Sequence, residues 1–142
     1  MVSGFIFYYL KYYKGKYDSF IPFVKNKFRR LLIPYIVVCI VWIIPFQVFL
    51  QKINIKTVLV NIALGIYPNQ LWFLLMLFLV FIIVWLLADF LKTHDGLGFL
   101  IVVSMHILGV LFSWFIPNYL QIWSALRHVL FFWMGFKICQ KN

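Results

Sequence analysis

Long runs of apolar residues, separated by short polar segments, form the dominant pattern in this chain. Four of these runs, at positions 31–50, 71–91, 97–116 and 120–138, are each close to twenty residues long. At about 1.5 Å of rise per residue, a helix of that length covers most of the ~30 Å hydrocarbon core of a bilayer. The pattern therefore predicts four membrane-spanning helices.

Two further apolar runs are too short to cross a membrane. The run at 58–67 is typical of a short interfacial or re-entrant helix. The run at 2–13 begins directly after Met1, and we expect a partial span, the second half of a helix whose first half is absent. Pro34 and Pro45 are expected to bend or end the helix that contains them.

These elements predict an all-α fold class, a polytopic transmembrane helical bundle that forms a single membrane domain over residues 1–142. Composition agrees, because 65% of the residues are hydrophobic and only 11% are charged. A soluble domain of this size carries far more polar surface. A soluble globule is therefore excluded, and the lipid bilayer is the expected partner of the apolar surface.

The charge is strongly basic, with 13 lysines and arginines against three acids and a formal net charge of +10. The cations lie between apolar runs, which is typical of cytoplasmic segments and does not favour a nucleic-acid partner. The densest group lies at 11–30, which is predicted to be a cytoplasmic loop. Alternating orientation then leaves only Lys52 and Lys56 on the disfavoured side, as expected for an integral plasma-membrane protein.

Three polar residues inside predicted spans are candidates for function, because placing such groups in lipid costs free energy. Arg127 lies about 9 to 11 Å from the end of its helix by helical rise, next to His128. His106 lies near the middle of the preceding, antiparallel helix, within reach of Arg127. The alternative is structural: Arg127 extends its side chain to the interface, and His106 bonds a backbone carbonyl.

A second group of candidates lies at the outer boundary of the 71–91 run. Trp72 has the usual position of an interfacial anchor. Asn69 and Gln70 are hydrogen-bonding residues that can line a lumen and bind a hydroxylated substrate. A plain membrane-boundary role is the alternative for all three.

Several kinds of chemistry are excluded by what the sequence lacks. It contains no serine-nucleophile motif, zinc-protease motif, paired CxxC motif or phosphate-binding glycine loop. Its only acids are Asp18, Asp89 and Asp95, too few for glycosidase or two-metal chemistry. We expect no metal site and no bound cofactor.

Four segments of the chain carry a family resemblance. They are SGFIFYY (residues 3–9), FVKNKFRRLLIPY (23–35), NQLWFLLMLFLVFII (69–83) and ALRHVLFFWMGFKI (125–138). In order and spacing they resemble the acyltransferase-3 family, which consists of multi-span membrane enzymes that O-acetylate or otherwise O-acylate sugars and cell-surface polysaccharides. The resemblance implies a bacterial inner-membrane enzyme that uses acyl-CoA, in particular acetyl-CoA, as co-substrate and a sugar or polysaccharide hydroxyl as acceptor.

The resemblance also implies a donor-binding group. The family's basic motif before a proline-started helix falls on Lys27, Arg29 and Arg30, ahead of Pro34. A cluster of guanidinium groups can hold the phosphates of coenzyme A through bidentate, charge-assisted hydrogen bonds. The alternative is that these cations only set topology and contact anionic lipid.

The catalytic residue stays unknown at this stage. The resemblance implies a catalytic histidine in a helix that precedes Ser3 in family members, so we expect a fragment, with the missing helices lost, unannotated or supplied by a partner chain. The leading hypothesis is a membrane O-acyltransferase. The alternative is a non-enzymatic membrane protein, such as a small transporter whose permeation path is lined by His106 and Arg127, or a subunit that packs against a partner.

Overall fold

The computed structural model describes residues 2–66 and 71–141, and it confirms the predicted all-α class, since these residues form no strand. The described helices are α1 (Val2–Tyr8, continued by a π-helical turn, Tyr9–Tyr13), α2 (Phe20–Leu50), α3 (Ile55–Ala63), α4 (Trp72–Thr93), α5 (Asp95–Phe115) and α6 (Ile122–Lys141). A 3₁₀ turn, Tyr119–Gln121, precedes α6.

Three of these helices, α2, α4 and α5, are long and apolar enough to cross a membrane. Helix α6 occupies the position of the fourth predicted span and packs against α1, α4 and α5. Because other helices cover much of its surface, α6 can hold polar residues such as Arg127 and His128 without exposing them fully to lipid. The least apolar long helix is therefore the central one.

The predicted cytoplasmic loop at 11–30 is wrong as a loop, because only residues 14–19 in this segment lie outside helices. The cations from Lys25 onward belong to α2. Phe20 and Phe23, three residues apart just before these cations, both pack against Trp85 of α4, with ring centroids 4.8 and 6.2 Å from that of Trp85. This apolar face docks the segment on the bundle despite its charge.

Helix α2 continues through both of its prolines. A π-helical segment, Phe28–Leu32, lies just before Pro34, and another, Cys39–Ile43, lies just before Pro45. A proline ring has no N–H and clashes with the carbonyl four residues earlier. The wider π turns move that carbonyl away from the ring, so the helix continues past each proline with only a local change in its geometry.

Two glycines allow the helices beside α6 to approach it closely. A Cβ atom added at Gly4 of α1 would lie 1.9 Å from the carbonyl oxygen of Phe132. One added at Gly109 of α5 would lie 2.9 Å from the carbonyl oxygen of Trp123 and 3.0 Å from the amide nitrogen of Arg127. Small residues at such contacts are typical of membrane helix packing.

Candidate functional site

The end of the bundle that contains Lys11, Lys92 and Lys137 is here called the basic end. Its first ion-pair cluster lies where α1 meets α4. Lys11 is almost fully buried, and its Nζ lies 3.3 Å from Oδ1 of Asp89. The hydroxyl of Tyr12 donates to the same Asp89 oxygen at 2.7 Å. Lys11 Nζ also lies 4.9 Å from the ring centroid of Trp85. The charge of the buried Lys11 is thus balanced by the carboxylate of Asp89.

A second cluster at the basic end joins α4, α5 and α6. Lys137 Nζ donates to the carbonyl oxygen of Leu91 at 2.8 Å and also pairs with Asp95. Gln140 Nε2 donates to the carbonyl oxygen of Lys92 at 3.2 Å. The last carbonyls of a helix have no intrahelical partner, so these side chains complete the end of α4. The role of this cluster is structural.

The three predicted donor-binding cations have different surroundings. Lys27 is turned toward the aromatic core, with Nζ 3.6 Å from the ring centroid of Phe81 and 5.3 Å from that of Tyr17. Burial raises the pKa of the Tyr17 phenol, so this ring stays neutral. Lys27 is therefore engaged by aromatic faces, whereas Arg29 and Arg30 are exposed. Neither arginine pairs with a carboxylate of the described residues.

The arginine pair lies alongside the body of α4 rather than at its end. Phe28, the residue before Arg29, packs against Phe78, with ring centroids 6.3 Å apart. About 12 Å of helix separates Phe81, the contact of Lys27, from Asp89 at the basic end. Phe28 thus docks this part of α2 on the body of the apolar, membrane-length α4, and the two arginines that follow Phe28 are exposed.

On another face of α4, Trp72 and His128 come together, with ring centroids 6.1 Å apart. His128 borders a cavity of about 110 Å³ between α1, α4 and α6, which Ser3 also lines. The Nδ1 atom of His128 lies 2.7 Å from the carbonyl oxygen of Ser124. A carbonyl oxygen only accepts, so Nδ1 carries the proton of the neutral ring, and Nε2 is left as an acceptor.

The structure also brings His106 and Arg127 together, but through the backbone. His106 Nδ1 lies 2.8 Å from the carbonyl oxygen of Arg127. The side chain of Arg127 lies over Gly109, and its Nε is buried with no hydrogen-bond partner among the described residues. These two residues form a helix–helix contact between α5 and α6.

A polar cluster before α6 contains residues that sequence reasoning missed. Asn118 Nδ2 donates to Ser124 Oγ at 2.6 Å and to Gln121 Oε1 at 2.9 Å. Gln121 Nε2 donates to the carbonyl oxygen of Gly65 at 2.9 Å. Leu120 and Gln121 both have positive φ, 52° and 59°, which is unfavourable for residues other than glycine. The spacing of Asn118, Gln121 and Ser124, three residues apart, is the signal that could have indicated this cluster.

Two predicted site residues, Asn69 and Gln70, lie outside the described residues. Among the residues that the structure does describe, no group of three or more His, Cys, Asp or Glu side chains is placed to hold a metal ion. Cys39 and Cys139 are buried free thiols. The candidate chemistry therefore rests on the arginine pair and on the His128 cavity.

Long apolar helices packed around a central helix that holds polar residues define a helical membrane protein. A comparison with protein families then identifies its class: the acyltransferase-3 family model, described as an acyltransferase domain, matches residues 1–142. The chain belongs to this family of membrane acyltransferases, which confirms the resemblance in the four sequence segments. No curated protein and no solved structure matches the chain.

Proposed function

We propose that this chain takes part in O-acyl transfer from an acyl-CoA donor, in particular acetyl-CoA, to a hydroxyl group of a sugar or cell-surface polysaccharide. In this reaction the hydroxyl oxygen attacks the thioester carbonyl, the C–S bond breaks, and the hydroxyl proton ends on the coenzyme A thiolate. Membership of the acyltransferase family supports group transfer. The arginine pair beside α4 is the observation that supports a coenzyme A donor.

Arg29 and Arg30 lie in the part of α2 that packs along the apolar body of α4. A charged group beside an apolar spanning helix is costly unless it faces a polar cavity or an anionic ligand. Lys11 and Lys137 are already paired with Asp89 and Asp95, whereas the two arginines have no such partner among the described residues. A planar guanidinium matches phosphate oxygens bidentately, so the phosphates of coenzyme A are a suitable ligand for this pair.

Lys27 takes a different role in this proposal. Its ammonium group lies against Phe81 and Tyr17, so it fixes the start of α2 on α4 and places the arginines. We therefore assign the phosphates to the two arginines, and phosphate binding by Lys27 stays a prediction.

The orientation follows from charge. The basic end, with Lys11, Lys92 and Lys137, faces the cytoplasm according to the positive-inside rule, where acyl-CoA is made. The 3₁₀ turn and α3 then lie on the outer side of a bacterial inner membrane. The donor enters from the basic end, and the acceptor is reached from the other side or from within the membrane.

Coenzyme A binding to the detergent-solubilised chain tests the donor site. The double variant Arg29→Gln/Arg30→Gln should weaken binding about 100-fold or more, because hydrogen bonds to charged groups contribute about 1.5–3 kcal/mol each and each arginine loses at least one. Lys52→Gln/Lys56→Gln removes the same charge from exposed positions near α3 and should leave binding unchanged. Equal affinity of the arginine variant and the wild type would disprove the donor site.

A further inference from the structure

The cavity between α1, α4 and α6 combines apolar walls with two polar groups. Met76 and Val80 of α4 and Phe132 of α6 contribute to its walls, and Ser3 and His128 contribute hydrogen-bonding side chains. Its volume of about 110 Å³ admits the end of a small polar molecule but not a nucleotide. An apolar pocket with a few placed polar groups is the usual form of a small-molecule site.

The hydrogen-bonding character of this cavity is specific. Because Nδ1 of His128 donates to the Ser124 carbonyl, the remaining ring nitrogen is an acceptor that makes no hydrogen bond within residues 2–66 and 71–141. The hydroxyl of Ser3 can both donate and accept. An acceptor and a donor–acceptor that line one cavity are complementary to an alcohol O–H, and the lining residues include no cationic group for a phosphate.

The ring of His128 is held from several sides. Trp72 packs near it, and the side chain of Ser124 is bonded by Asn118 and Gln121. Gln121 has an unfavourable left-handed backbone conformation, and its side chain donates a hydrogen bond to the carbonyl oxygen of Gly65. Residues held in such conformations are over-determined by their surroundings and are concentrated at binding sites.

The cavity is also close to the proposed donor site. Leu77 lines the cavity, and the next residue of α4, Phe78, packs against Phe28, the neighbour of Arg29. The two sites therefore lie at the same height along α4, on different faces of the helix.

We propose that this cavity binds a hydroxyl group of the acyl acceptor, with the O–H donating to Nε2 of His128 and Ser3 Oγ donating to the hydroxyl oxygen. The proposal rests on the proposed function for the identity of the occupant. Ser124 acts as a positioning residue, because its carbonyl sets the tautomer of the ring. His128 is a binding residue here, and no proton transfer is assigned to it.

Nitrogen-15 NMR of histidine-labelled protein in detergent tests the site without requiring activity. Glycerol is the probe, and 1,2,3-trimethoxypropane, which lacks every O–H, is the matched control. The Nε2 resonance of His128 should shift saturably with glycerol and not with the ether. Ser3→Ala should weaken the glycerol response about five- to tenfold, the usual cost of one neutral hydrogen bond, whereas His106 should not respond.

The outcomes separate the two proposals. If His128 does not respond to glycerol, or responds equally to the ether, the hydroxyl site is overturned even where coenzyme A binds through Arg29 and Arg30. If His128 responds as expected but coenzyme A does not bind, the hydroxyl site stands and the donor site fails. A response at His106 of the same size as that at His128 also overturns the assignment.

Discussion

Lys27, Arg29 and Arg30 lie within one helical turn of each other and contact different surroundings. The ammonium group of Lys27 is 3.6 Å from the Phe81 ring centroid, while both guanidinium groups are exposed. Fixed charges near apolar helices are functional candidates when they have no partner. The proposed donor site is therefore formed by the exposed arginine pair and not by the whole cationic segment.

Lys137 is expected to stabilise the bundle rather than to act on substrate. Its Nζ satisfies the Leu91 carbonyl at the end of α4, and the variant Lys137→Met leaves that carbonyl without its donor at a cost of about 1–3 kcal/mol. The thermal midpoint of unfolding in detergent should fall, with coenzyme A affinity unchanged. Lys141→Met, at an exposed position, is the control and should behave like wild type.

An unchanged midpoint for Lys137→Met would show that the contacts of Lys137 do not stabilise the end of α4. A loss of coenzyme A binding in a variant that still folds would instead assign Lys137 to the donor site.

At the scale of elements, the apolar runs predicted the main helices because span length is set by the bilayer and little else. The 11–30 segment was misread because seven cations obscured the helical spacing of Phe20 and Phe23. A short connection makes α5 and α6 antiparallel neighbours, and this was enough to predict from the sequence that His106 lies near Arg127. The cavity that Ser3 and His128 both line was not predictable, because it depends on how α1 packs against α6, far apart in sequence.

The close contact of α1 with α6 is expected to tolerate no side chain at Gly4. Gly4→Ala places a Cβ against the Phe132 backbone and should destabilise the folded chain by about 1–3 kcal/mol or more, as overpacking does. Gly96→Ala meets nothing within 4 Å and should be neutral or slightly stabilising, since alanine favours a helix. Thermal unfolding of both variants in detergent compares them directly.

Equal stability of the two glycine variants would mean that α1 does not pack on α6 through Gly4. The cavity that Ser3 shares with His128 would then lose its structural basis as well.

At the scale of the whole molecule, polar groups are divided by position along the bundle. The basic end uses Asp89 and Asp95 to neutralise buried or bridging lysines. Arg29 and Arg30 lie further along α4, at the height of the His128 cavity. In the proposed function, the donor phosphates and the acceptor hydroxyl therefore approach α4 from different faces.

Sidedness of donor binding in liposomes tests the central claim most directly. The chain is reconstituted, its orientation is determined with an impermeant maleimide at Ser19→Cys or Thr57→Cys, and labelled acetyl-CoA is supplied on one side at a time. We expect saturable binding only when acetyl-CoA is on the side of Ser19, next to the basic end, and we expect Arg29→Gln/Arg30→Gln to weaken it. Binding only from the side of Thr57, or no binding from either side, would contradict the proposed donor site.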